Sequence, residues 1–506
     1  MITIDPRPEC FKNWLHEASI VFLIMLAQLL NQAGTCQTLP MMNILEHSFN
    51  NVTANDKVWF MAACPLTAGA FILISGKFGD LYGLKKTLLV GISWGCIWTL
   101  LVGISSYSHS VIFFCICRAM QGIGLALILP NAIGIAGNLY PNGQRKAIVF
   151  SLIAAAAPTG ATLGSVFGAL TSQFGQWEWN FYSNAIVLFL MGIATYFVIP
   201  HIEPHHTSSK MDWWGAITGV SGLIMFNFAW NQAPAAGWDS PYIIVLLIAG
   251  LISLGAFFYV ENSVAESPIL PTEVMNSHLL LILLVIAFGW SSFSIWTFYY
   301  WAFLMNLNHY TPLLACATYG NFLFWGITAC VVVSLLIRKV NPSYLLLAAM
   351  GAFFVGIAML ATTPVHQTYF NMLFAQMIVL SFGMDMSFPA ASLVLSDTLP
   401  KKHQGMASSL VSTMINYSMS VGLGIAGTAE AKIKERTGDL LQSYRAAMYV
   451  GIGLASVAIL LGIVLVISSH LWPHHIPEDK EYENSYNSEL NTGKDTNEKQ
   501  LSDNAV

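Results

Sequence analysis

Apolar stretches long enough to cross a bilayer recur along the whole chain. Fourteen can be read, near 19–44, 58–75, 87–106, 111–139, 147–172, 181–199, 212–231, 241–260, 279–304, 312–337, 344–361, 370–396, 405–429 and 446–468. A spanning helix needs roughly 20 mostly apolar residues. A membrane barrel would instead show alternating segments of about ten residues, and these stretches are longer and apolar all round. Charge argues the same way. Only 9% of residues are charged and the mean hydropathy is +0.61, whereas soluble domains carry about 25% charged residues. Most of this surface must face lipid, so an all-α membrane protein is expected.

An even number of spans puts both ends on one side. With the N-terminus cytoplasmic, the inner segments hold 15 Lys and Arg and the outer ones 5, and Arg118 lies within a span. Positive charge favours the cytoplasmic side, so both termini are expected there. Residues 1–18 read as a cytoplasmic segment whose opening MITIDPRPEC is acidic and proline-broken, without the basic start and apolar run of a signal peptide. Residues 469–506 are polar and acidic and read as a disordered cytoplasmic tail. Asn51 opens an NVT sequon in the first outer loop, a candidate glycosylation site. Seven of the eight cysteines fall within spans, which implies no disulfide framework. Cys115 and Cys117 are two apart and project to different helix faces, so no metal site is expected there.

An internal repeat organises the spans. "GLALILPNAIGIAGNLYP" from Gly124 and "GMDMSFPAASLVLSDTLP" from Gly383 share Gly124, Pro130 and Pro141 against Gly383, Pro389 and Pro400, at a constant offset of 259. The offset maps span four onto span twelve. Two parallel six-helix halves follow, 19–199 and 279–468, with a two-helix insert at 200–278. Such repeats place a substrate site near the membrane midplane between the halves. The repeat also breaks informatively, because Asp385 aligns with Ala126 and Arg118 with Met377. Each half thus carries one intramembrane charge, opposite in sign and about 12 Å apart in depth at 1.5 Å per residue. Intramembrane ionisable residues mark functional sites by default; the plainer reading is a structural ion pair or a packing hydrogen bond. Asp385 and Arg118 are the candidates for proton coupling.

"GKFGDLYGLKKTL" spans Gly76 to Leu88 between spans two and three. Its glycines permit tight turns, Asp80 suits a cap or an ion pair, and Lys85 and Lys86 mark a cytoplasmic loop. Gly76, Asp80, Gly83 and Lys85 in this spacing resemble the signature loop of the major facilitator superfamily, with Leu81 and Leu84 where that family often has arginine. "RAMQGIG" from Arg118 resembles its span-four motif. "APTGATLGSVFG" from Ala157 resembles its span-five antiporter motif around Pro158, with Ala157 in place of a glycine. Gly160, Gly164 and Gly168 also form a face of small residues that lets a neighbouring helix approach. The stretches "LLNQAGTCQTLPMMNIL", "NFAWNQAPAAGW", "LSFGMDMSFPAAS" and "GMASSLVSTMINYSMS" narrow the resemblance to fourteen-spanner drug:proton antiporters. Within them the chain looks like the fungal subgroup of aminotriazole-resistance, boron-efflux and low-affinity ammonium transporters. The resemblance implies the major facilitator fold and a proton-linked transporter.

Polar residues within spans are candidates for the cavity wall: Gln28, Asn31, Gln121, Asn321 and Asn416. Interhelical hydrogen bonding is the competing use, worth about 0.6 kcal/mol per contact. Trp290 could offer a cation–π face to an ammonium-like solute. Trp296, Tyr299, Tyr300 and Trp301 read as an interfacial aromatic belt. Nucleotide-binding loops, metal-ligand clusters and nucleophile motifs do not occur, so neither an enzyme nor a cofactor is expected. The expected partners are the bilayer, a small polar solute and protons, with no nucleic acid and a monomeric state. The expected activity is proton-driven export of small polar solutes, aminotriazole- or borate-like, across the plasma membrane. The alternatives are low-affinity ammonium transport, vacuolar placement, or a transporter-like sensor.

Overall fold

Lipid offers the backbone no hydrogen bonds, so apolar segments satisfy their own as helices. The structure, a computed structural model, describes residues 7–8, 10–50, 52, 56–141, 144–201, 210–270, 276–337, 339–399 and 406–471. The candidate glycosylation site Asn51 and nearly all of the expected tail lie outside the described residues. The α-helices are α1 (Trp14–Cys36), α2 (Met42–Ser48), α3 (Lys57–Tyr82), α4 (Leu84–Ile104), α5 (Val111–Leu139), α6 (Gln144–Gln173), α7 (Glu178–Val198), α8 (Trp213–Ala236), α9 (Pro241–Ser263), α10 (Ser277–Asn306), α11 (Pro312–Tyr319), α12 (Asn321–Leu336), α13 (Pro342–Thr362), α14 (Met372–Thr398), α15 (Met406–Thr437) and α16 (Leu440–Leu471). Among the described residues there is no strand.

Helix starts follow from local chemistry. Asn13, Ser110, Asp212, Asn276 and Thr311 each accept a backbone N–H of the first turn through their side chains, as good N-caps do. Pro241, Pro312 and Pro342 open α9, α11 and α13, where a missing N–H costs nothing.

Among the described residues, twelve helical units are long and apolar enough to cross a membrane, counting α1 with α2 and α11 with α12 as single units. The two other long helices, α8 and α15, have 24 and 32 residues and fall short in apolarity. Their polar side chains meet each other. Asn231 Nδ2 donates to Asn227 Oδ1 at 2.6 Å and to Ser420 Oγ at 3.1 Å, and Ser420 Oγ lies 2.8 Å from Asn227 Oδ1 and 3.2 Å from the Ala62 carbonyl of α3. Trp59 Nε1 on α3 donates to Gln232 Oε1 on α8 at 2.9 Å.

The packing repeats. α4 packs on α5 and α7, α1 on α6 and α5, and α3 on α5; α13 packs on α14 and α16, α10 on α15 and α14, and α12 on α14 in the same pattern. Both α5 and α14 carry their proline inside the helix, Pro130 and Pro389. The halves meet along α3–α15 and where α6 meets α11 and α12, and α8 lies against α9, α3 and α15.

Close approach needs glycine at two of these seams. A Cβ at Gly69 would stand 2.6 Å from the Tyr417 nitrogen, across α3–α15, and one at Gly164 would stand 2.6 Å from the Ala33 Cα, across α1–α6. Backbone cannot retreat as a side chain can. Gly164→Leu is therefore expected to lower stability by about 1–3 kcal/mol, read as a lower melting temperature of the purified protein. An unchanged melt would contradict the α1–α6 packing.

Candidate transport site

Asp385 lies mid-way along α14, four residues before Pro389. Proline has no N–H, so the Asp385 carbonyl loses its helical donor. Its side chain is also incompletely satisfied. The Cys330 thiol of α12 lies beside the carboxylate, and Oδ2 is buried with no hydrogen-bond partner among the described residues. Gly326, one turn before Cys330, admits this approach: a Cβ there would lie 3.4 Å from Asp385 Oδ2 and 2.7 Å from the Pro158 Cβ of α6. Two residues singled out separately in the sequence, Asp385 and Pro158, thus converge where the two halves meet.

Arg118 occupies a different place. It is fully buried on α5. Its Nη1 donates to Gln121 Oε1 at 2.5 Å, and Gln121 Nε2 donates to Thr99 Oγ1 at 2.9 Å. Nε and Nη2 find no acceptor among the described residues. The nearby ionisable groups are the thiols of Cys36, Cys64 and Cys115. Lys57–Glu46, Arg145–Glu17 and Lys210–Glu266 are ion pairs; among the described residues none joins Arg118 to Asp385.

The other candidates divide. Gln28 Oε1 and Trp290 Nε1 are buried without partners among the described residues, and Asn31 is half-buried on the same helix as Gln28. Trp290 sits edge-to-face against Phe293 at 5.2 Å and Phe353 at 5.9 Å. Asn321 is committed to Tyr369, donating to its hydroxyl at 2.7 Å. Asn416 donates to the Ser412 carbonyl of its own helix at 3.0 Å. The aromatic belt expected in span nine is a correction. Trp296, Tyr299, Tyr300 and Trp301 are at most 1% exposed, because α10 is enclosed by α11, α13, α14, α15 and α16. Trp296 Nε1 donates to Gln376 Oε1 at 2.7 Å and the Tyr299 hydroxyl to Glu430 Oε2 at 2.6 Å.

The signature loop holds helix ends together. Gly83 turns the chain at φ +98°, a conformation glycine adopts freely. Lys85 Nζ donates to the carbonyls of Tyr196 and Ile199 at the end of α7, at 2.9 and 2.5 Å, where a cation suits the helix dipole. A Cβ at Gly76 would lie 3.7 Å from Ser409 Oγ on α15, and Asp80 is exposed. On α6, a Cβ at Gly160 would collide with Leu29 of α1 and one at Gly168 with Gln37 just beyond α1. At the opposite end of the bundle, Asn43 Nδ2 donates to Asn306 Oδ1 at 3.0 Å and the Leu313 N–H to Gln173 Oε1 at 3.2 Å. These bonds tie the two halves together there. Neither pair is apparent from sequence spacing.

Comparison with known proteins matches this architecture. The Major Facilitator Superfamily profile matches residues 21–423 and again 345–494. The chain belongs to the major facilitator superfamily. It is 48% identical over 484 residues to the aminotriazole resistance protein of Saccharomyces cerevisiae, covering 94% of this chain and 89% of that protein. It is 44% identical over 475 residues to the low affinity ammonium transporter of the same yeast, covering 92% and 90%. A crystal structure of an auto-inhibited peptide transporter of the POT family superposes with a TM-score of 0.62 at 14% identity, covering 91% and 98%, which speaks to the fold alone. This major facilitator protein is a multi-pass membrane transporter rather than an enzyme.

Proposed function

We propose that the protein is a proton-coupled exporter of small polar solutes with Asp385 as its coupling carboxylate. The observation that carries this reading is the unpartnered Asp385 oxygen at the meeting of α6, α12 and α14. A carboxylate there gains or loses a proton as its hydration changes with the opening of one side or the other. Arg118, Gln121, Gln28, Asn31 and Trp290 supply the remaining candidate wall, and Asn321 and Asn416 act structurally. The solute class rests on the 48% identity to an aminotriazole resistance protein and on amide-rich walls that suit hydrogen-bonding solutes; boric acid shares that chemistry.

In this reading α8 and α15 also cross, giving fourteen spans as two six-helix halves, 19–199 and 279–468, and an insert at 200–278. The end with the signature loop faces the cytoplasm with both termini. The protein works as a monomer in the plasma membrane, with Asn51 outside. Ammonium transport is the second reading, favoured by the 44% identity to a low affinity ammonium transporter and by the Trp290–Phe293–Phe353 ring cluster. Growth of deletion and overexpression strains separates the two. Export predicts that overexpression protects against aminotriazole or borate and that loss sensitises. Altered methylammonium sensitivity without either phenotype would favour ammonium instead.

A further inference from the structure

Two carboxylates at the signature-loop end of the insert are not used by the transport site. Asp212 caps α8, its Oδ1 accepting from the Gly215 N–H at 2.9 Å. Glu261 lies in the last turn of α9, is 5% exposed, and accepts from the Leu270 N–H through Oε2 at 3.0 Å. Each carboxylate therefore gives one oxygen to a backbone donor. The other two oxygens, Asp212 Oδ2 and Glu261 Oε1, are buried and have no hydrogen-bond partner among the described residues. They converge over Gly215. A Cβ on that residue would stand 2.8 Å from Glu261 Oε1 and would also collide with Asp212 Oδ2.

Two ionised carboxylates cannot sit this way cheaply, since like charges repel and burial removes the water that would screen them. One proton between the converging oxygens removes a charge and gives both oxygens a hydrogen bond, as O–H donor and as acceptor. We propose that Asp212 and Glu261 form a second proton-binding site, sharing one proton where the insert meets α3, independent of Asp385.

Among the described residues, neither oxygen has another hydrogen-bond partner. The charged side chains that act on Glu261 are Asp212 and Lys77. Lys77 Nζ donates to Ser267 Oγ at 2.8 Å, and Lys210 pairs with Glu266 at 3.4 Å in the open. On α3, Asp80 is exposed. On α15, the other helix against α8, no charged residue precedes Glu430. Ile74, Ala216 and Ile269 form an apolar cluster at this corner, and Phe78 packs on Trp213 at 5.9 Å. The shared proton thus holds together the corner at which the insert rests on the signature-loop end of α3. Its loss places two like charges there and loosens that contact.

The sign follows from linkage. A protonated form favoured by folding contributes stability at low pH that is lost as pH rises and the shared proton leaves. The test is the melting temperature of the purified full chain across pH, in an Asp385→Asn background so that Asp385 does not titrate. With the pair intact, the melting temperature should fall by several degrees as pH rises. Glu261→Gln, whose amide donates to Asp212 Oδ2 at every pH, should flatten that fall. Asp212→Asn retains the cap, should do the same, and serves if the Gln variant does not fold. An equal pH slope in all three proteins overturns the proposal. So does a wild-type melt that rises with sodium or potassium at fixed pH and loses that rise in Glu261→Gln, which would make the pair a cation site.

Discussion

Asp385→Asn is expected to abolish solute accumulation driven by a pH gradient while leaving solute exchange across vesicles measurable. The amide matches the carboxylate in shape and cannot exchange a proton. Because Oδ2 makes no hydrogen bond among the described residues, its replacement breaks nothing in this conformation. The folded protein should therefore survive and coupling should not. Flux assays in proteoliposomes, with and without an imposed gradient, separate the two activities. An Asn variant that still concentrates solute against its gradient would leave Asp385 a packing residue.

Arg118→Met is expected to separate stability from function in the opposite way. A buried guanidinium with two unpartnered nitrogens and no carboxylate partner among the described residues is costly to fold, and an apolar side chain of similar length avoids that cost. Removing an unsatisfied buried group should stabilise the protein by about 1–3 kcal/mol, seen as a higher melting temperature. Transport should be lost, because the buried cation of the site is gone and Gln121 loses its donor. A lower melting temperature would mean that the guanidinium supports the fold. Undiminished transport by a stable variant would remove Arg118 from the solute or proton path.

Those two residues show what the sequence makes legible. A charge inside an apolar run is visible without coordinates, and so is the repeat that aligns Pro130 with Pro389 and sets α5 against α14. Partners on other helices are not. Cys330 and Gly326 look like ordinary span residues until α12 packs against α14, and Pro158 comes up to Gly326, next to Asp385, only through the packing of α6 on α12. The aromatic run of α10 misled for the same reason. Tryptophan and tyrosine near a helix end suggest an interface, but five neighbouring helices bury this end. Polar content misleads in the other direction for α8, whose Asn227 and Asn231 lower its apolarity and are satisfied by Ser420 of α15. Glu261 reads as a flanking charge at the end of a span, and its partner Asp212 is separated from it by two helices.

Proton movement tied to solute movement is the direct test of the central claim. Wild-type protein in liposomes containing a pH-sensitive dye, with the inside initially at the outer pH, is given a gradient of aminotriazole or of boric acid. Coupled exchange predicts that at least one of these solutes drives protons in the direction opposite to its own flow, and that Asp385→Asn abolishes the dye response while solute still equilibrates. Solute flow with no dye response in the wild-type protein would contradict the account.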